Sequence, residues 1–172
     1  MIIASIAMVM IISSQIHKLS FMAASLLFSL YAVLMGAWIS PILLIYTSSS
    51  VFQVFAITAG TFAGMSIYGH ITKKDLTKIG QIAIMAIWGL ILASLVNLFM
   101  HNETMSYIIS YVGVLVFCGL TMYDVQKMKV LIYQGGFSGD DLNKVALLGA
   151  LNLYLDFLNL FLYLLRILGR RK

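Results

Sequence analysis

Charge is what this chain has least of. Only 10% of its 172 residues are Asp, Glu, Lys or Arg, while 62% are hydrophobic and the mean hydropathy is +1.00. A soluble domain is excluded by that balance. A single cysteine, Cys118, rules out an internal disulfide and reads as a small buried hydrophobe on an apolar helix. The single proline, Pro41, follows the apolar run 21–40 and either ends that helix or kinks it. No phosphate-binding loop, nucleophile triad or cysteine–histidine metal motif is present. His17, His70 and His101 fall at separate membrane edges, so a histidine metal site is not expected. The eleven methionines are spread through the apolar segments as packing residues, not as a copper path.

What is there is a series of long apolar runs. A membrane-spanning helix needs about 20 mainly apolar residues. Six candidates meet the eye: 1–13, 21–40, 51–69, 79–100, 104–124 and 145–168. The first is too short to cross alone and reads as the remaining half of a helix. It has no basic n-region and no convincing cleavage site, which argues against a signal peptide. The expected fold is all-α, a polytopic membrane helix bundle of about six transmembrane segments. It forms a single integral membrane domain over residues 1–172. The polar stretch 126–144 is too short to fold by itself. Gly135 to Gly139 (GGFSG) marks a turn, Ser138 is placed to cap the last helix, and Asp140 and Asp141 read as solvated capping charges. Gly60 and Gly64 form a G-x-x-x-G pair that predicts close helix packing.

The formal charge of +5 is distributed as membrane topology requires, so it is not a nucleic-acid signal. If each segment crosses, Lys18, Lys73, Lys74, Lys78, Lys127, Lys129 and Lys144 share one side, while the loops 41–50 and 101–103 carry no Lys or Arg. The lysine side is therefore expected to be cytoplasmic. Arg166, Arg170, Arg171 and Lys172 break the pattern. Either the last segment crosses against the rule, which we favour, or it re-enters and returns.

Among only six acidic residues, two lie in apolar segments: Asp124 closes the fifth and Asp156 sits inside the sixth. An acid at the centre of a bilayer costs roughly 2.5–3.5 kcal/mol on insertion scales, so it rarely stands without a partner or a task. Asn152, Asp156, Asn159, Tyr163, Arg166 and Arg170 recur at steps of four and three, which draws one polar stripe along a helix. In lipid such a stripe must face the bundle interior or a wet cavity. Ser110, Val114, Phe117, Thr121 and Asp124 form a weaker stripe on the neighbouring helix. The bland alternative is helix glue through hydrogen bonds, which suits Asn152 and Asn159 better than Asp156.

The stretches FSLYAVLMGAWISPILLIYT, AITAGTFAGMSIYGHITKKDLTKIG, LVFCGLTMYDVQKMK and LYLDFLNLFLYLLRILGRR resemble, in this order, the bacterial branch of the Bax inhibitor-1 family. The resemblance implies a bundle, normally of seven spans, in the bacterial cytoplasmic membrane, and a pH-sensitive calcium leak. It implies that the aspartates matching Asp124 and Asp156 sense protons and bind calcium weakly. The chain departs from the family at its N-terminus. The first helix and part of the second have no counterpart, and a basic partner of the aspartate pair has no place in residues 1–13.

Calcium takes six to eight oxygen ligands, so two carboxylates supply part of a shell, and carbonyls, waters, Asn152 or Asn159 must supply the rest. A leak needs such weak sites, because ions must leave them. Two carboxylates brought together also share a proton and titrate as a pair, so proton and calcium compete for the same oxygens. Asp156 lies about 18 Å of helix beyond Lys144, so the two acids meet only if the last helix starts well outside the bilayer or its predecessor is deeply placed. We expect the former. No cofactor is implied beyond calcium as the transported or sensed ion, and no enzymatic activity is expected. An intramembrane aspartyl protease would also pair aspartates, one of them after a tyrosine, as Asp124 follows Tyr123. Here, however, Leu153-Tyr154-Leu155 replaces the Gly-x-Gly of such enzymes, and no Pro-Ala-Leu is present. The remaining alternative is a non-transporting regulator or interaction partner of other membrane proteins.

Overall fold

The computed structural model describes residues 19–172, which fold into five helices: α1 (Phe21–Ile45), α2 (Ser48–Ile71), α3 (Thr77–Met100), α4 (Glu103–Gln134) and α5 (Asp140–Leu168). All five are long and apolar enough to cross a membrane. Helix is what apolar surroundings demand, because it satisfies every backbone group within one segment. Five of the six expected segments are thus found, and the candidate at 1–13 lies outside the described residues.

Tight links make consecutive helices antiparallel. Tyr46 and Thr47 alone join α1 to α2, and His101 and Asn102 alone join α3 to α4. At the second link His101 takes a left-handed conformation (φ 50°), which turns the chain sharply. Asn102 then caps α4 by accepting a 3.0 Å bond from the Met105 amide. α4 and α5 form the centre. α3 and α2 pack on α4, α2 also packs on α5, and α1 packs chiefly on α5. Leu160, Leu151 and Leu165 of α5 are fully buried in three separate clusters that join it to α3 and α4, to α1, and to α1 and α2. The outer faces remain apolar, with Phe52, Met85, Phe99 and Leu115 all more than 70% exposed, as a lipid-facing surface requires.

Several local expectations are corrected. Pro41 does not end its helix: α1 continues through it to Ile45. α4 does not stop at Asp124 but runs ten residues further to Gln134, so most of the polar stretch 126–144 is helix, and only 135–139 link the two helices. Polar side chains do not break a helix that has left the lipid, since its hydrogen bonds are internal. Ser138 does not cap α5. Gly139 occupies the cap position without a side-chain bond, and Asp140 and Asp141 sit in the first turn, 3.1 and 3.5 Å from Lys144. Among the described residues Gly60 and Gly64 mediate no close packing, since a Cβ at either would meet nothing within 4 Å. Close approach occurs instead at Gly69, where the backbone of Met122 occupies the space a side chain would need.

Two ends can be distinguished. At one, Gln126 accepts from the Leu76 amide (2.9 Å) and donates to the Lys74 carbonyl (2.8 Å), while Lys129 donates to the His70 carbonyl (2.7 Å). The extension of α4 thereby braces the α2–α3 loop. At the other end, the chain after α5 pairs with the α1–α2 link: Thr47 donates to the Arg170 carbonyl and Lys172 to the Ile45 carbonyl, both at 2.9 Å. α5 is one continuous helix, so the tail reaches the end of the bundle opposite Lys73, Lys74 and Lys129.

Candidate functional site

α4 and α5 pack along most of their length, and this contact carries both polar stripes inward. On α4, Ser110 and Thr121 are fully buried and return their hydroxyls to the carbonyls of Ser106 and Phe117 (2.8 Å each). Such back-bonding is how hydroxyls are kept in apolar surroundings. Between α3, α4 and α5 lies a cavity of about 490 Å³, lined by Asp124, Lys127, Asn152, Asp156, Asn159 and Tyr163 among others. The four α5 residues follow the four-three-four spacing read from the sequence.

The two carboxylates line one cavity because both helices overshoot. Asp124 precedes the end of α4 by ten residues, about 15 Å, and Asp156 follows the start of α5 by sixteen, about 24 Å. The last helix begins well before its acid, and α4 also runs on past Asp124. Asp156 is 5% exposed, and its Oδ2 is fully enclosed without a hydrogen-bond partner among the described residues. Ser25 and Ser66 also hold such hydroxyls, but neither lines this cavity. A buried acceptor without a partner loses free energy unless a proton, water or cation meets it. Asn159 donates its amide to the Leu155 carbonyl at 2.8 Å, which leaves its side-chain oxygen available. Asn152 also lines the cavity.

Lys127 is the lining residue that the sequence reading placed only as a loop cation. Because α4 continues, Lys127 stands one turn beyond Asp124, with its ammonium 5.7 Å from the centre of the Tyr123 ring. The spacing of three between Asp124 and Lys127 was the available signal. No ion pair engages it, since those among the described residues join Lys144 to Asp140 and Asp141. No group of three or more His, Cys, Asp or Glu side chains that could hold a metal gathers among the described residues. Any cation at the aspartates would therefore take further ligands from amides, carbonyls or water.

Tyr163 lines the cavity on the side toward the opposite end. Its ring packs on Gly113 and lies 5.8 Å, centre to centre, from Phe117. One turn beyond, Arg166 lines a second cavity of about 470 Å³. The polar stripe of α5 thus connects two cavities in series, with Tyr163 between them.

A family model described as "Inhibitor of apoptosis-promoting Bax1" matches residues 1–172. The chain is 46% identical over its full length to Inner membrane protein YbhL of Escherichia coli K12, covering 74% of that protein. It is equally similar, at 46% with the same coverage, to an uncharacterized protein of Borreliella burgdorferi. An uncharacterized protein of Deinococcus radiodurans is 42% identical over 97% of the chain and 72% of its own length.

Proposed function

The chain belongs to the Bax inhibitor-1 family, and we propose that it is a pH-sensitive calcium leak of the bacterial inner membrane. Asp124 and Asp156 are its shared proton and calcium site. One observation carries this reading: carboxylates from consecutive spanning helices line one cavity, and Asp156 has an enclosed oxygen without a protein partner. Protons and calcium compete there for the same oxygens, so the occupant depends on pH. With Asn152 and Asn159 the site offers a partial calcium shell, which suits release over storage.

In this reading Lys127, which lines the same cavity, offsets the negative charge of the site while no cation is bound. The placement in the inner membrane rests on YbhL, which carries that location in its name. The role is transport without catalysis. Calcium uptake into proteoliposomes, followed with an entrapped indicator at pH 6, 7 and 8, tests the proposal. Uptake that differs between these values supports it. No uptake above protein-free vesicles at any of them leaves the non-transporting regulator as the better reading.

A further inference from the structure

The cavity at the tail end is lined by two arginines, Arg166 and Arg171, and neither belongs to the aspartate site. We propose that it binds a phosphate-bearing anion, held by Arg166 and Arg171. The cavity, about 470 Å³, is lined also by Ser94, His101, Glu103 and Tyr107. A volume of this size accommodates a small ligand or a lipid headgroup. Arg166 lies in the last turn of α5. Arg171 is preset by its neighbours. The amide of Arg170 donates to the Ser50 hydroxyl at 2.8 Å, its carbonyl accepts from Thr47, and the amide of Lys172 donates to Ile45. The side chain between these anchors is carried on a fixed backbone, which lowers the entropy lost on binding.

Neither guanidinium has an ion-pair partner among the described residues, although Glu103 lines the same space. Glu103 sits in the first turn of α4, where the helix N-terminus favours its charge. Asn97 and Ser106, also on the wall, are engaged with each other at 2.7 Å. What remains toward a ligand is two planar guanidiniums and hydroxyl donors, the donor set that grips phosphate in two-pronged fashion. Four basic residues at this end also run against the charge bias of membrane proteins. An anion held between Arg166 and Arg171 relieves the repulsion of these two. Leu98 and Tyr107, 63% and 48% exposed at the same cavity, offer an apolar edge to an acyl chain, which fits a headgroup.

The inference stands apart from calcium transport, and its test does not read transport. The full chain in detergent is incubated with phosphatidylglycerol, phosphatidylcholine or inorganic phosphate, and bound lipid and thermal unfolding are followed. The wild type and Arg170→Gln, which lies outside the cavity lining, should retain phosphatidylglycerol over phosphatidylcholine and be stabilised by it. The Arg166→Gln/Arg171→Gln protein should bind it at least about tenfold more weakly, while unfolding normally without ligand. If inorganic phosphate alone stabilises the wild type and not the double variant, the site stands with a free anion as its ligand. Equal retention by the wild type and the double variant, or no effect of either probe on the wild type, overturns the proposal.

Discussion

The ring of Tyr163 packs directly on Gly113: a Cβ at that glycine would stand 2.7 Å from ring carbon Cδ2. This contact lies between the aspartate cavity and the arginine cavity, and nothing larger than glycine fits there without moving the ring. Gly113→Ala should displace Tyr163 and cost about 1–3 kcal/mol through overpacking. Thermal unfolding in detergent checks the stability. Calcium flux should rise if the displaced ring had closed the path, and Tyr163→Ala should raise it without the overpacking cost.

Asp156→Asn keeps the size and hydrogen-bonding capacity of the side chain and removes its charge. The bundle should survive, because the site is buried between packed helices and the amide fits the same space. Calcium flux should change in size and lose its dependence on pH near neutrality. Asn159→Leu should act more weakly, since that residue offers at most one oxygen. Unchanged pH-dependent flux in the Asp156→Asn protein, at equal expression, would reduce the aspartate to helix glue.

Gln126→Ala removes two hydrogen bonds that tie the end of α4 to the α2–α3 loop. The amide of Leu76, a residue only 2% exposed, loses its acceptor. A loss of about 1–2 kcal/mol is expected from the thermal midpoint. Amide exchange at Leu76 should rise most, while the distant arginine cavity stays unaffected.

Asp75 accepts two bonds from Thr77, from the amide at 2.9 Å and the hydroxyl at 2.6 Å, ahead of α3. These bonds hold its carboxyl below the ordinary carboxylate value, the hydroxyl contributing most. A lowered folded-state value means that the stabilisation is complete above the unfolded carboxylate's range. It is lost as pH falls through the folded value. Asp75→Ala should therefore unfold at lower temperature than wild type at pH 7, with the gap narrowing as pH falls below about 4. A gap of constant size from pH 7 to pH 3 would show that the charge is irrelevant.

Reporter fusions settle orientation. A reporter placed after Lys74 should read cytoplasmic, and one fused after Lys172 should read external, since the tail pairs with the α1–α2 link at the opposite end. Both fusions reading cytoplasmic would contradict five crossings.

Much of this protein was legible in its sequence for a simple reason. In lipid, composition dictates helix, and length dictates crossing, so the apolar runs from 21 onward became α1 to α5. The inward stripe of α5 was equally plain, because Asn152, Asp156, Asn159 and Tyr163 can share a face only at helical spacing. Where a helix ends outside the lipid is another matter. Hydropathy falls at Asp124, yet α4 runs on to Gln134, held by its internal hydrogen bonds and braced by Gln126 against a loop some fifty residues earlier. That continuation, invisible in any local window, carries Lys127 into the aspartate cavity. The glycines tell the same lesson. Gly60 and Gly64 carry a recognised spacing and meet nothing among the described residues, whereas Gly113 carries no motif and takes the ring of Tyr163. Spacing says which residues share a face of one helix. Only the packing of one helix against another decides which face is turned inward, and which small residue a large one needs.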